Sequence, residues 1–430
     1  MKKSNGPMSG FRDLLSDQML PRDATIETIK NIFELYGFVP LKTPALERFS
    51  TLSGKYGEEG DKLMYSFEDN GGRKVALRYD LTVPLARVMA QYDRNLPRPF
   101  KRYVVGDVWR GESPQAGRYR EFTQFDADIV GTSSYLADTE IVAMMSDAMK
   151  ALNLEVIIRV NDRKILDGLS TTCGISSKQD FLKFVGTIDK VEKNGVEAVL
   201  EELSKVLSKE ATGIVKKYLS ISGSNQEKLA SINKLLNSKN TAEGVDNISK
   251  ILDTLEFAGY RESVVFDQTI ARGLNYYTGT IYETNLKDYP EIGSVCSGGR
   301  FDQLIEQLGG PKTPAVGTSI GIDRLLAAMK QIGSFKNLKT KTRVYITNVD
   351  EDLDKERFRL AQKLRSKKVA TELVYDNNRL GNQIQAIDKI GVKDIVILGQ
   401  NEVKTNSVVI KNLSSGLQKN IPLEKFIKEF

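Results

Sequence analysis

Apolar residues recur along this chain with two different periods, and the changes of period mark its elements. Over 21–37, Ile26, Ile29, Ile32, Phe33 and Tyr36 fall on one face of a helix, and Gly37 stands where a helix C-terminus ends. GFVPLKTPALE follows as an extended, proline-marked segment. Alternation with period two predicts strands over 73–82, 100–110 and 118–130, and helical spacing returns from Ala137 to Leu152. From about 170 to 250 the chain is rich in Lys, Glu, Ser and Leu at helical spacing, without a strand pattern, as a helical insertion would be. Strand patterns resume at 263–271 and 279–284 on either side of the polar run RGLNYY, and AVGTSIGIDRLLAAMK reads as a strand passing into a helix.

QIGSFKNLKTK, near 331–341, reads as a linker. Beyond it TRVYITNV, VATELVY and DIVILG are strands, separated by a charged helix at 351–367 and a helix around 380–390. That alternation predicts a small α/β domain with a largely parallel sheet. A length of 430 residues exceeds one ordinary domain. The expected division is one domain built from 1–169 and 255–330, an insertion at 170–254, a linker at 331–342 and a C-terminal domain at 343–430.

Composition narrows the chemistry. A hydrophobic fraction of 40% and a charged fraction of 27% fit a soluble globular protein. No run approaches the ~20 apolar residues that span a membrane. MKKSNGPMSGFRD has lysines but no apolar stretch behind them, unlike a secretory signal. Cys173 and Cys296 are too few for a disulfide framework or a four-cysteine zinc site, so a reducing, cytoplasmic setting is expected. A net charge of +6 permits nucleic-acid binding without requiring it. The chain has no histidine. Catalytic triads, Cys–His pairs and histidine metal sites of its own are therefore excluded, leaving carboxylates, arginines, lysines, hydroxyls and backbone.

Four constellations carry such groups. In RGESPQAGRYREFTQFDADIVG, Arg118, Arg120, Phe122, Gln124, Asp126 and Asp128 share one face of the expected strand. Tyr119, Thr123, Phe125, Ala127 and Ile129 share the other, a core-like set. Periodicity alone leaves open whether the polar face is a ligand wall or solvated surface. Arg110, at the end of FKRYVVGDVW, would join it across a Gly/Pro-containing loop, and arginine's rigid fork suits phosphate. In VALRYDLTVP, Arg78, Asp80 and Thr82 share one face, and a carboxylate beside a hydroxyl can receive an ammonium group. ARGLNYYTGTIYE sets Arg272 after a strand with Tyr276 and Tyr277 at a turn; GIDRLLAAMK puts Arg324 in a first helical turn, where an anion is favoured. Paired tyrosines are more often packing, and a lone arginine more often surface. Gly298-Gly299 in SVCSGGRFDQL permits close backbone approach to a ligand.

Taken in order, these segments resemble the class II aminoacyl-tRNA synthetases, and the histidyl-tRNA synthetases in particular. The helix ending at Gly37 with TPALE looks like motif 1, which builds a dimer interface. FKRYVVGDVWRGESPQAGRYREFTQFDADIVG resembles motif 2 and VGTSIGIDRLL motif 3. LRYDLTVP, RGLNYYTGTIYE and SVCSGGRFDQL look like the histidine-specific blocks, and the C-terminal domain like the anticodon-binding domain.

The resemblance implies an α+β catalytic domain with an antiparallel sheet, a helical insertion supporting the tRNA acceptor stem, and a C-terminal α/β domain. It implies activation of L-histidine by ATP with Mg²⁺ to histidyl-adenylate and pyrophosphate, then transfer to tRNA(His), in a homodimer. In that scheme Arg110 grips the α-phosphate and the amino-acid carboxylate, and Arg272 lies against the α-phosphate. Glu112 reads the adenine amino group, Phe122 stacks on adenine, and Arg118 and Arg324 hold the β- and γ-phosphates. Asp80, Thr82 and Gln124 bind the amino and carboxylate ends of histidine. Asp128 and Tyr277 reach its two ring nitrogens, with Tyr276 nearby. The chain departs from the family at Asn275, where aspartate is common, at Phe301, where tyrosine is common, and at Gly111, where a basic residue or histidine is common. Two other readings are a non-catalytic, histidine-binding regulatory paralogue, which would lack the C-terminal domain and the phosphate-binding arginines, and a nucleic-acid-binding module, which leaves the ATP constellation unexplained.

Overall fold

Eight strands make the sheet that positions everything below: β1 (Val39–Pro40), β2 (Phe100–Trp109), β3 (Glu121–Val130), β4 (Val156–Asp162), β5 (Val264–Phe266), β6 (Thr280–Leu286), β7 (Cys296–Arg300) and β8 (Ala315–Gly321). They lie in the spatial order β1-β2-β3-β8-β7-β6-β4-β5. Every pairing from β2 across to β4 is antiparallel, and a short parallel partner closes each edge. This is the antiparallel catalytic sheet that the resemblance implies. The structure, a computed structural model, describes residues 5–114, 117–271, 276–335, 338–376 and 378–429.

The chain divides into two compact units, one of residues 1–12 and 25–334, the other of residues 13–24 and 335–430. In the first, Phe125, Ala127 and Ile129 of β3 are buried as their period-two spacing predicts. Phe125 packs edge-on against Phe33 at 4.9 Å, a contact worth ~0.5–1.5 kcal/mol beyond its burial. Helix Tyr135–Ala151, capped by the Ser134 hydroxyl, packs on the sheet and buries Ile141, Val142, Met144 and Met145. Arg300 of β7 pairs with Asp138 of that helix. Six helices between Lys178 and Phe257 follow, with no strand among their described residues. Cap hydroxyls from Ser177, Ser208, Ser224 and Ser238 begin four of them.

Several elements differ from their sequence expectation. The first helix is Ser16–Leu35, starting ahead of residue 21 because its opening turn carries no apolar stripe to announce it. The strand expected over 73–82 ends at Leu77, and Thr82 opens helix Thr82–Tyr92. The Asp80 carboxylate accepts from the Val83 backbone N–H at 3.0 Å, which starts that helix and breaks the alternation. Arg78, Asp80 and Thr82 are therefore not one strand face: Arg78 turns inward and donates to the carbonyls of Thr43 and Asp107. The strand expected over 118–130 begins only at Glu121, and that over 263–271 spans only Val264–Phe266. The Gly298-Gly299 segment is a strand, and a Cβ at either glycine would meet protein. At Gly298 it would lie 2.2 Å from the Gly317 carbonyl, at Gly299 2.7 Å from that of Thr280. These glycines let neighbouring strands close on β7.

The second unit holds a five-stranded sheet in the order Thr371–Leu373, Val344–Ile346, Asp394–Ile397, Ser407–Asn412, Gln418–Pro422. The first two pairings are parallel and the last two antiparallel, so the sheet is mixed rather than largely parallel. The difference is the terminal hairpin, whose Gln418–Pro422 strand is mostly exposed and shows little apolar alternation. Lys336 and Asn337 of the expected linker lie outside the described residues.

Candidate active site

A cavity of about 610 Å³ opens on the β3 face of the sheet. Phe122, Gln124 and Asp126, alternate residues of β3, line it, because side chains two apart share a strand face. Asp128, next in that series, does not line it. Its carboxylate lies 2.6 Å from the Arg102 guanidinium, with both side chains nearly sealed from solvent. Gly317, its neighbour across β8, admits it: a Cβ there would lie 1.9 Å from the Asp128 Oδ1.

The floor of the cavity is acidic and short of donors. The Gln124 amide donates to Ser319 Oγ at 2.7 Å, while its Oε1 is buried without a hydrogen-bond partner. Asp126 Oδ1 is likewise buried without one. Burial pushes the Asp126 carboxyl up to about 7 despite Arg102, with Asp128 and Asp80 adding to the rise. Burial also pushes Asp128 up to about 6, again against the pull of Arg102. Asp80 is held rigidly by Tyr56 Oη at 2.9 Å, Tyr276 Oη at 3.0 Å and the Val83 N–H. Its carboxyl is raised by burial, those hydrogen bonds opposing the shift. Tyr277 lines the same wall and meets the Tyr276 ring edge-on at 5.3 Å. Phe301 packs its ring on Tyr276 at 6.0 Å within an apolar cluster.

The other end of the cavity is cationic. Arg110, just past β2, donates from Nε to the Tyr79 carbonyl at 3.1 Å. Its guanidinium sits between two rings, 4.4 Å from Tyr79 and 5.1 Å from Phe122. Arg118 reaches to within 4.0 Å of Glu112 and is largely exposed. Arg324 opens the helix after β8 and donates to the Ile292 carbonyl at 3.0 Å. Its neighbour Asp323 pins β3 by accepting from the Thr123 N–H at 2.8 Å and pairs with Arg12. Gly111 N–H donates to the Leu63 carbonyl at 2.8 Å, and a Cβ at Gly111 would lie 3.2 Å from that oxygen. A larger residue at this position requires the loop to shift.

The cavity thus gathers Asp80, Thr82, Arg110, Glu112, Arg118 and Phe122 with Gln124, Tyr276, Tyr277 and Arg324. Arg272 and Asn275 lie outside the described residues. Asp126 has a visible signal in the sequence, its place on the polar face of β3, but that place does not distinguish it from Asp128. Ser319 comes level with Asp126 only through the β3–β8 register. Arg163 also lines the cavity and carries no periodic signal, being one basic residue at a helix start.

An anionic floor beside an arginine cluster with an aromatic face suits a zwitterionic amino acid next to a nucleotide. Comparison with known proteins agrees. The sequence model of the histidyl-tRNA synthetase family matches residues 10–325, and that of the anticodon-binding domain matches 343–430. The chain is 38% identical over 413 residues to the histidine–tRNA ligase of Rhodopirellula baltica, covering 95% of this chain and 93% of that one. It is 39% identical over 453 residues to that of Gloeobacter violaceus, covering 97% and 96%. The crystal structure of histidyl-tRNA synthetase from a Nostoc species superposes with a TM-score of 0.88 at 32% identity, over the whole of both chains. Agreement this long, running through both units, means that the chain belongs to the histidyl-tRNA synthetase family.

Proposed function

We propose that the chain is a histidine–tRNA ligase acting in the cytoplasm as a homodimer. It activates L-histidine with ATP to histidyl-adenylate and pyrophosphate, then passes histidine to the 3′ end of tRNA(His). The observation that carries this reading is one cavity with two ends: Arg110 beside the rings of Tyr79 and Phe122, and the unpartnered oxygens of Gln124 and Asp126 beyond it.

ATP enters as its Mg²⁺ complex. Mg²⁺ is commonly held by substrate phosphates and water with few protein ligands. Among the described residues no group of three His, Cys, Asp or Glu could hold a metal unaided. Phe122 stacks on adenine, Glu112 reads its amino group, and Arg118 and Arg324 hold the outer phosphates. Arg110 and Arg272 bridge the α-phosphate and the carboxylate of histidine. Asp80, Thr82 and Gln124 take the ammonium and carboxylate ends. The imidazole lies between Tyr277 and the Asp126 carboxylate, whose Oδ1 is unpartnered, with Asp128 and Arg102 paired behind that wall. Two ring nitrogens matched by two polar groups select histidine, because an analogue leaves buried groups unpaired, at a cost that can reach a factor of roughly 10⁴.

The histidine carboxylate attacks the α-phosphorus and pyrophosphate leaves. The nucleophile is already ionised, so no imidazole base is needed from the enzyme, in keeping with a chain that has none. Its residues align the reactants and offset the charge that develops. The terminal ribose hydroxyl of tRNA then attacks the acyl carbon and AMP leaves, the proton passing to a phosphate oxygen of the adenylate. The C-terminal domain, 343–430, takes the anticodon, and the insertion, 170–254, supports the acceptor stem. A regulatory paralogue without catalysis fits less well, since the arginines and the C-terminal domain are both retained. The direct test is charging of total bacterial tRNA with labelled histidine: acid-precipitable label that depends on ATP supports the reading, and its absence with an active control enzyme overturns it.

A further inference from the structure

The cavity has a third charged feature that the proposed reaction leaves unused. Arg163 follows β4 directly and opens helix Arg163–Thr172. It lines the cavity yet is only 7% exposed. Its guanidinium lies 4.5 Å from the ring of Phe181, on the insertion helix Lys178–Ile188. Among the described residues it makes no side-chain hydrogen bond and no ion pair within 4 Å. The charge acting on it is that of Asp167, one turn further along the helix. A buried cation without a close counter-ion costs stability, and an anion docking against it recovers that cost. Burial pushes its guanidinium below the usual range, with Asp167 opposing the shift.

Arg163 is far along the sheet from Phe122, the residue assigned to adenine. The sheet register sets Val160 level with Tyr282, Gly298, Thr318 and Ala127. Arg163 lies three residues beyond that row on β4, and Phe122 five residues before it on β3, the two strands running the same way. The separation is four strand spacings across, roughly 19 Å, and eight residues along, roughly 26 Å. A triphosphate beginning at Phe122 does not reach that far. The acidic floor of Asp80 and Asp126 lies between. Asp189, at the end of the insertion helix, also lines the cavity. A single guanidinium suits one phosphate rather than a chain of them.

We propose that Arg163 and Phe181 form a subsite for a single backbone phosphodiester of the tRNA acceptor end, entering the cavity from the insertion side. The inference rests on the ligase reading, in which the tRNA 3′ end must reach this cavity. Arg163 supplies the charge, and Phe181 fixes the guanidinium plane.

The test uses the full-length chain with Arg163→Gln and Arg163→Lys. Histidine-dependent ATP–pyrophosphate exchange is measured beside the tRNA KM for charging at several salt concentrations. For R163Q, exchange within about twofold of wild type is expected, with the tRNA KM raised about tenfold, in line with loss of one charged hydrogen bond. Its salt dependence should be shallower by roughly 0.7 in the log–log slope, as for one lost contact to single-stranded RNA. R163K should keep the wild-type slope with a raised KM, and it carries the test alone if R163Q does not fold. Exchange falling in parallel with charging would assign Arg163 to a nucleotide phosphate and overturn the proposal. An unchanged KM and slope would make Arg163 a strut between the insertion and the sheet, and would also overturn it. Lack of exchange in the wild type would instead sink the ligase reading.

Discussion

Asp128 and Arg102 meet at 2.6 Å with side chains 2% and 1% exposed, a buried ion pair directly behind the wall of the cavity. Breaking such a pair from one side leaves a charge stranded in the interior, which costs more than the intact pair contributes. Arg102→Met should therefore lower the denaturant midpoint by an amount equivalent to about 3–5 kcal/mol. The double variant R102M/D128L should recover most of that loss, because neither charge is then stranded. Equal destabilisation in the single and double variants would show that packing, not the charge pair, decides.

Gly317 faces that pair. A methyl group there would overlap Asp128 Oδ1 at 1.9 Å and approach the Ala127 carbonyl at 3.0 Å. Gly317→Ala should cost about 1–3 kcal/mol by overpacking and weaken histidine binding as Asp128 is displaced. Thermal melts with and without histidine check both effects, and a variant as stable as wild type would contradict this account of the glycine.

Asp126 gives the site a pH dependence whose sign is fixed by its raised pKa of about 7. In the unfolded chain this carboxyl ionises near 4, so between about 4 and 7 the folded state holds the extra proton and stability falls as pH rises. Ligand binding runs the other way, since an ionised Asp126 accepts from a donor on histidine. The KM for histidine in exchange should fall from pH 6 to 8, and Asp126→Asn should flatten that part of the profile. Comparing the two proteins cancels the titration of the substrate's own imidazole. Parallel profiles would remove Asp126 from the site.

Arg110 is pinned by Tyr79 and Phe122 rather than by a carboxylate, which leaves its outer nitrogens for substrate. Arg110→Lys keeps the charge and loses the planar fork. Exchange should drop by about 10²–10³-fold, the range seen when one donor to a developing charge is removed. A loss below tenfold, measured at saturating ATP and histidine, would take Arg110 out of the transition state.

Much of the catalytic sheet was legible because period-two alternation survives wherever one strand face meets the core, as at Phe125, Ala127 and Ile129. It failed at VALRYDLTVP, where a side-chain cap at Asp80 ends the strand and starts a helix within three residues. It also failed at CSGGR, whose glycines carry no pattern at all although they form a central strand. The site followed the same logic. Residues on β3 could be grouped by face, but which carboxylate opens to the cavity was decided by Arg102 and Gly317, distant in sequence and visible only in the folded register. Arg163 was beyond reach for the same reason: its burial comes from Phe181 on a separate helix.

The central claim is adenylate formation specific to histidine, and ATP–pyrophosphate exchange with each of the twenty amino acids in turn measures it most directly. The account predicts exchange with histidine, at least about 10³-fold above every other amino acid, as expected of a site that hydrogen-bonds its substrate's polar groups. Exchange with a different amino acid, or none with histidine although histidine binds, would contradict it.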